Sequence, residues 1–212
     1  MEPTPPASFG DDGHDHGHDH GQSHPHHERG PSADASVRPA RTNDAPAVGL
    51  VQATVFRETY AGRLPPDVLA LFEPDAFART WRESLSAPPQ GVHRLLVACA
   101  GDQVVGFAAV GPAQDPDVGH AAGAVTVLCV HPDARRQGHG SRLLNASVDV
   151  LRDAGAESVT VWLLADDEHA RAFLAGSGFG PDGAYRDRVV SPEGDTLREV
   201  RLSVLLAEDE EA

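Results

Sequence analysis

The stretch that decides the fold is Val125-Thr126-Val127-Leu128-Cys129-Val130, followed by Arg135-Arg136-Gln137-Gly138-His139-Gly140 and then by Ser141 to Ala154. The first run is apolar and reads as a strand; the last carries a helical pattern. A strand that turns through glycines into a helix leaves backbone N–H groups free at the positive end of the helix dipole. That is a site for a phosphate-bearing ligand. Arg135 and Arg136 beside it strengthen that reading, and Gly138 and Gly140 permit positive φ and close approach of a ligand to the backbone. The alternative is an ordinary strand-to-helix turn. Neither Gly-x-x-x-x-Gly-Lys-Ser/Thr nor Gly-x-Gly-x-x-Gly is present, which sets this loop apart from those phosphate loops.

Working outward, the chain has 212 residues, 40% of them apolar, enough for one folded core with the surplus length in tails. It has no run of 18 apolar residues and no charged N-terminal segment leading into an apolar one. The sequence therefore predicts no membrane span, no secretory signal and a cytoplasmic protein. Cys99 and Cys129 fall in apolar runs, where a reduced cysteine packs as a small hydrophobe, and two such residues make no disulfide framework. All 17 basic residues are arginine, a composition expected of a GC-rich bacterial genome. The formal net charge of −15 opposes nucleic acid and anionic lipid as partners and favours a cationic amine. Much of it, however, lies in Glu2, Asp11, Asp12, Asp15, Asp19, Glu28 and Asp34 and in Glu208 to Glu211, so the total does not describe the field at a site.

Residues 1–36 are Gly, Pro, Ser, Asp and His with almost nothing apolar, and burial cannot offset the entropy of ordering them; a disordered arm is expected. Within it His14, His16, His18 and His20 alternate with Asp15 and Asp19, ahead of His24, His26 and His27. Imidazoles so spaced suit weak, multisite binding of divalent metal, although a flexible tract fixes no coordination geometry, and an inert polar tail is the alternative. A single domain over 37–206 and an acidic tail over 207–212 complete the expected organisation.

The domain opens with a strand near Val37 to Ala40 and a helix capped at Asn43 or Asp44 that carries Val48, Val51, Val55 and Phe56. Pro65-Pro66 starts a second helical stretch, and Phe77, Trp81 and Leu85 mark another after Pro74. His93 to Ala100 and Gln103 to Gly111, split by Gly101-Asp102, read as a hairpin. A loop over Gly111 to Gly123 leads into the central strand. Gly155 ends the following helix, Val159, Val161 and Leu163 form a strand, and Asp167 to Ser177 a helix. Tyr185 to Val190 and Thr196 to Leu206 read as two strands joined at Pro192-Glu193-Gly194-Asp195.

The Arg-x-x-Gly-x-Gly spacing at Arg135 to Gly140, with Val130-His131-Pro132 before it and Ala170 to Leu174 and Gly178-Phe179 after, resembles the GCN5-related N-acetyltransferase (GNAT) superfamily over roughly residues 37 to 206. The resemblance implies an α/β fold: a mixed, mostly antiparallel sheet of six to seven strands, flanked by about four helices and splayed between the fourth and fifth strands. It also implies an acetyl-CoA-dependent N-acetyltransferase acting on a primary amine by direct attack in a ternary complex, with a small-molecule acceptor favoured over a protein. N–H groups from Arg136 to Ser141, with Gln137, Gly138, His139 and Gly140 between them and Arg135 beside them, would hold the pyrophosphate. Leu128, Cys129 and Val130 would bond the pantetheine arm. Dimers are common in the family, so a homodimer is a further expectation.

The family's catalytic side chains do not carry over simply. The glutamate near the start of the fourth strand corresponds here to Ala124, the fifth-strand glutamate of ribosomal-protein-type members to Trp162, the helix tyrosine to Leu174, and its neighbouring asparagine to Asp167, which the resemblance implies as a cofactor-binding residue. The remaining candidates for acid and base are His120, whose unperturbed pKa of about 6.5 suits proton transfer, and Tyr185 with Asp187. Solvated or packed side chains are the alternatives. His131 and His139 are expected at the surface, and His169 is a candidate helix cap. A non-catalytic acyl-CoA-sensing or metal-binding module is the competing class, kept alive by the missing glutamate and tyrosine.

Overall fold

The computed structural model of the chain describes residues 35–191 and 194–206. The histidines of the N-terminal arm, the acidic tail, and Pro192 and Glu193 of the expected turn lie outside the described residues.

The strands are β1 (Ala35–Pro39), β2 (Arg94–Ala100), β3 (Gln103–Pro112), β4 (Ala122–Val130), β5 (Ser158–Leu164), β6 (Gly180–Val189) and β7 (Thr196–Leu205). The helices are α1 (Ala45–Tyr60), α2 (Pro66–Ala70), α3 (Pro74–Ser86), α4 (His139–Asp153) and α5 (Glu168–Ala175). One seven-stranded sheet runs in the order β1-β2-β3-β4-β5-β7-β6. Only β4 and β5 pair in parallel, as a strand-helix-strand crossover through α4 requires. Among the described residues, no helix is long and apolar enough to cross a membrane.

Both faces of the central strands are covered, which is why β2 and β3 read as nearly continuous apolar runs. Val48, Val51 and Val55 of α1 pack on Leu95, Val97, Phe107, Ala109 and Cys129. On the other face Leu143, Leu144 and Leu151 of α4 meet Leu96, Ala108, Val110, Val125 and Val159. The α2–α3 break follows from Glu73, held extended (φ −89°, ψ 132°) ahead of Pro74.

Two strands start earlier than their sequence suggests. The small residues Ala122-Gly123-Ala124 give no apolar run, yet they pair with both β3 and β5. A Cβ on Gly123 would stand 2.8 Å from Leu151, so the glycine is what lets α4 lie close. β6 begins at Gly180, and its register shifts between Pro181 and Tyr185.

The central irregularity is in β4. Ala109 faces Val127 and Val110 faces Val125, leaving Thr126 as one extra residue, its Oγ1 donating to the Ala109 carbonyl (3.2 Å). Such a bulge bends a strand and reverses its alternation. Val125 accordingly points to α4, whereas Val127 and Cys129 point to α1. Pairing with β5 stops at Val125–Val161, one residue before the bulge. Beyond it β4 and β5 diverge, and five residues of β4, about 16 Å of strand, have no partner on that edge among the described residues.

Close packing of α4 on this sheet should show in stability. A Cβ on Gly106 would lie 2.9 Å from the Cys129 carbonyl oxygen and 3.2 Å from Leu143. Gly106→Ala is expected to lose about 1–3 kcal/mol in urea unfolding, while Gly101→Asn, at φ +57° with open space around it, should stay within about 0.5 kcal/mol of the parent.

Candidate active site

β4 delivers the chain into the glycine loop, and a set of local bonds holds that loop. The His131 N–H bonds the Val105 carbonyl (2.8 Å), and Pro132–Ala134 make a turn of 3₁₀ helix. Gln137 Nε2 donates to the Asp133 carbonyl (3.2 Å), and Arg142 Nη1 to the Gln137 carbonyl (3.2 Å). Arg136 and Gly138 both take positive φ, +62° and +82°. A non-glycine residue in that region is uncommon and tends to occur where function demands it.

Gly138 is the N-cap of α4 and offers no side chain to its first turn. The N–H groups at the start of α4 therefore have no side-chain cap, in a region also carrying Arg136 and Arg142. A Cβ on Gly140 would make only ordinary contacts, 3.6 Å from Phe173 and 3.8 Å from Val130, so packing alone does not demand glycine there. Uncapped donors, local cations and small residues fit a phosphate group, and the unpartnered edge of β4 beginning at Thr126 fits an extended amide chain.

Several expected site residues take other places. Arg135 is bound to Glu58 through two hydrogen bonds (2.8 and 2.6 Å), and its Nε donates to the Val130 carbonyl (3.2 Å). This guanidinium holds the Glu58 carboxyl below the usual carboxylate range. Asp167 caps α5, its Oδ1 accepting from the Ala170 N–H (2.9 Å), so the expected cap His169 stands exposed instead. Leu174, at the position of the family's helix tyrosine, is buried in the core. Burial pushes the Cys129 thiol up to about 12, keeping it protonated, with its side chain turned toward α1.

The two proton-transfer candidates are not brought together. His120 is exposed in the turn before β4, at the opposite end of that strand from the glycine loop. Tyr185, 64% exposed on β6, lies under the Arg198 guanidinium (4.9 Å), which pairs with Asp187 (2.9 and 3.0 Å).

His139 departs from expectation: it is 2% exposed rather than a surface side chain. α4 starts at His139, which makes it the first member of the buried stripe Leu143, Ser147 and Leu151. That four-residue spacing was the signal available in the sequence. Its Nδ1 is buried with no hydrogen-bond partner among the described residues.

Sequence reasoning also missed a polar network on β5, β6 and β7. Arg201, its side chain 5% exposed, donates to Asp117 (2.8 and 2.5 Å) and Asp182 (2.7 Å). Its neighbour Trp162 donates Nε1 to Asp115 (3.1 Å), with the Arg186 guanidinium 4.1 Å from its ring centroid. Glu199, 7% exposed, accepts from Arg186 (2.6 Å) and Arg188 (3.2 Å). The alternation of Glu199, Arg201 and Ser203 against Val200, Leu202 and Val204 could have placed these groups on one face. No group of three His, Cys, Asp or Glu side chains suited to a metal ion occurs among the described residues.

The buried imidazole gives a signed pH dependence. Burial, then Arg142, lowers the His139 pKa below its ordinary 6.5. The unfolded chain therefore takes up a proton before the folded protein does. The contribution of His139 to stability is full above about pH 6.5 and is lost as pH falls from there through the folded pKa. His139→Leu should flatten the fall in melting temperature between neutral and mildly acidic pH, measured by circular dichroism; an unchanged slope would show that this histidine does not set it.

Known proteins agree with this geometry. The family model described as the acetyltransferase (GNAT) family matches residues 54–179, more than half of the chain. A mycothiol acetyltransferase of Thermomonospora curvata is 32% identical over 131 residues, covering 60% of this chain and 41% of the relative; the chain thus spans about two fifths of that protein's length. Among solved structures, the ribosomal-protein-alanine N-acetyltransferase from Brucella melitensis superimposes with a TM-score of 0.62 at 21% identity, covering 81% of this chain and 99% of that one. The PaiA N-acetyltransferase from Thermoplasma acidophilum, solved with coenzyme A, gives a TM-score of 0.57 at 15% identity and covers 78% and 97%. With its glycine loop, bulged fourth strand and splayed β4–β5 pair, the chain belongs to the acetyltransferase (GNAT) family.

Proposed function

We propose that the chain transfers an acetyl group from acetyl-CoA to a primary amine, by direct attack within a ternary complex. The observation that carries this reading is the coincidence of the unpartnered β4 edge with an uncapped helix N-terminus at its end. Those two features suit the amide-bearing arm and the pyrophosphate of one extended molecule. Arg136, Gly138 and the N–H groups of His139 to Ser141 would hold the pyrophosphate; backbone groups of Leu128, Cys129 and Val130 would hold the arm. Arg135, being bound to Glu58, serves to shape the loop.

Acetyl transfer needs a neutral amine, donors for the negative charge that develops on the carbonyl oxygen, and a proton for the departing thiolate. A backbone N–H on the open edge of β4, toward the end of the arm away from the glycine loop, would supply the second requirement without any particular side chain. The acceptor is a small amine entering from the α1 side of the sheet, where Trp162, Arg186 and Glu199 lie beside the opening. The catalytic unit is the domain over residues 37–206, with the arm and tail outside it.

Acetyl-CoA should raise the melting temperature of the parent protein and leave Gly138→Asp unmoved, since the added carboxylate places bulk and negative charge at the phosphate cradle. The affinity lost should be about tenfold or more, as expected for a like charge set against the ligand. Release of free CoA with members of a primary-amine panel would establish transfer. Stabilisation of the parent without CoA release would favour instead a module that binds acyl-CoA and does not turn it over.

A further inference from the structure

Val125–Val161 is the last pairing of β4 with β5, so Trp162 is the first residue of β5 to border the gap, level with Thr126 across it. Arg201 stands opposite Trp162 on β7, and Glu199, two residues away, shares its face. Arg186 of the outer strand β6 stands opposite Glu199. From there its side chain reaches back to the gap, where its Cζ lies 4.1 Å from the Trp162 ring centroid.

This guanidinium is held on two sides. Its Nε donates to Glu199 Oε2 (2.6 Å), and the ring it lies against is itself fixed through Nε1 by Asp115 (3.1 Å). Nη1 and Nη2 of Arg186 donate to no side chain or carbonyl among the described residues, and the side chain stays 41% exposed. An arginine stacked on an aromatic ring and anchored through Nε presents its two remaining nitrogens as a rigid fork, the shape that matches the two oxygens of a carboxylate. Its charge is not cancelled. Arg188 donates Nη2 to the same Glu199 oxygen (3.2 Å), so two guanidiniums share one carboxylate.

Around Arg201, whose Cζ is 5.6 Å from the same ring, the imbalance is reversed: Asp115, Asp117 and Asp182 stand 3.7, 2.5 and 2.7 Å from its nitrogens. An excess of positive charge and an excess of negative charge therefore adjoin Trp162, on β7 positions about 7 Å apart. A zwitterion complements both, whereas a plain cationic amine meets like charge at the fork.

We infer that the acceptor is an amino acid, its carboxylate held by the Arg186 fork and its amine turned toward the thioester. This rests on the acetyl-transfer reading above and names the substrate class for the same site. Arg186 is a specificity-determining residue: it binds the acceptor and takes no part in making or breaking bonds. Trp162 and Glu199 position it.

Matched acceptors test this: each primary-amine amino acid common in proteins, against the amine that carries hydrogen in place of its carboxylate. For the amino acid the parent uses best, kcat/KM in CoA release should exceed that of its matched amine by about tenfold or more, the worth of a charged hydrogen-bonded contact. Arg186→Gln keeps a donor for Glu199, which retains Arg188, and removes the charged fork. With its melting temperature unchanged, it should erase that preference by raising KM for the amino acid, while KM for acetyl-CoA and kcat/KM for the matched amine stay within about twofold. Arg186→Lys, with the charge but no fork, should fall between the two; a merely structural role would lower both acceptors alike in either variant. Calorimetric binding of the same amino acid to the CoA complex gives a readout without turnover, and should weaken about tenfold in Arg186→Gln. A parent that prefers the plain amine, or an amino-acid preference undiminished in both variants, overturns the inference and leaves acetyl transfer standing. Amino-acid binding that depends on Arg186, with no CoA release from acetyl-CoA, supports the carboxylate site and overturns the acetyl-transfer reading. Neither binding nor release with any member of the panel overturns both.

Discussion

The eleven register pairings of β4 with β3 and β5 would be unremarkable without the one residue that does not fit the ladder. Thr126 is squeezed between Val125 and Val127 opposite a single step of β3. Before it, β4 is held on both edges; after it, β3 alone holds the strand. A central strand abandoned on one edge exposes peptide groups that must find another partner, because unpaired backbone polar groups are costly once shielded from water. The bulge also reverses which residues face which helix layer, so Cys129 can bury against α1 while Leu128 and Val130 still reach α4. One extra residue thus creates the opening without sacrificing the core on either face.

The glycine loop was legible because its demands are local. Gly138 at φ +82° and the strand-to-helix change on either side are written in consecutive residues. The bulge was not, because Thr126 sits inside a run of strand-forming residues and only its pairing with Ala109 reveals it as surplus. The start of β4 was hidden for a related reason: Ala122-Gly123-Ala124 contributes no apolar signal, and its value lies in letting Leu151 approach. His139 shows the reverse error. Its position in a loop motif suggested solvent, whereas its place at the head of the Leu143, Ser147 and Leu151 stripe is what sets its burial.

The polar network beside the opening answers to a different constraint. Arg201 and Glu199 occupy inward positions on β7, and a buried charge is tolerated only when its partners are complete. Arg201 is satisfied by Asp117 from the loop before β4 and by Asp182 from β6; Glu199 is satisfied by Arg186 and Arg188. Each pair joins different strands or loops, so the alternation along β7 places the charges on one face but does not name their partners. Their common effect is to tie the loop before β4 and strands β5 to β7 together on one flank of the splay. The flank that an acceptor must pass is therefore fixed by charge pairing, while the opposite flank, β3 and β4, is fixed by apolar packing.

This division explains why a net charge of −15 says little about the site. Exposed charges farther apart than about 8–10 Å are screened at ordinary ionic strength. An anionic ligand at the loop therefore responds to the nearest groups. There Arg135 is engaged by Glu58, and Arg142 reaches back to the Gln137 carbonyl, so both shape the cradle as much as they charge it. What remains directed outward is the exposed Arg136 and the first N–H groups of α4, a positive end built largely from backbone. A field of that origin does not titrate and does not depend on composition, which is why six residues of loop geometry carry more information about the ligand than the charge of the whole chain.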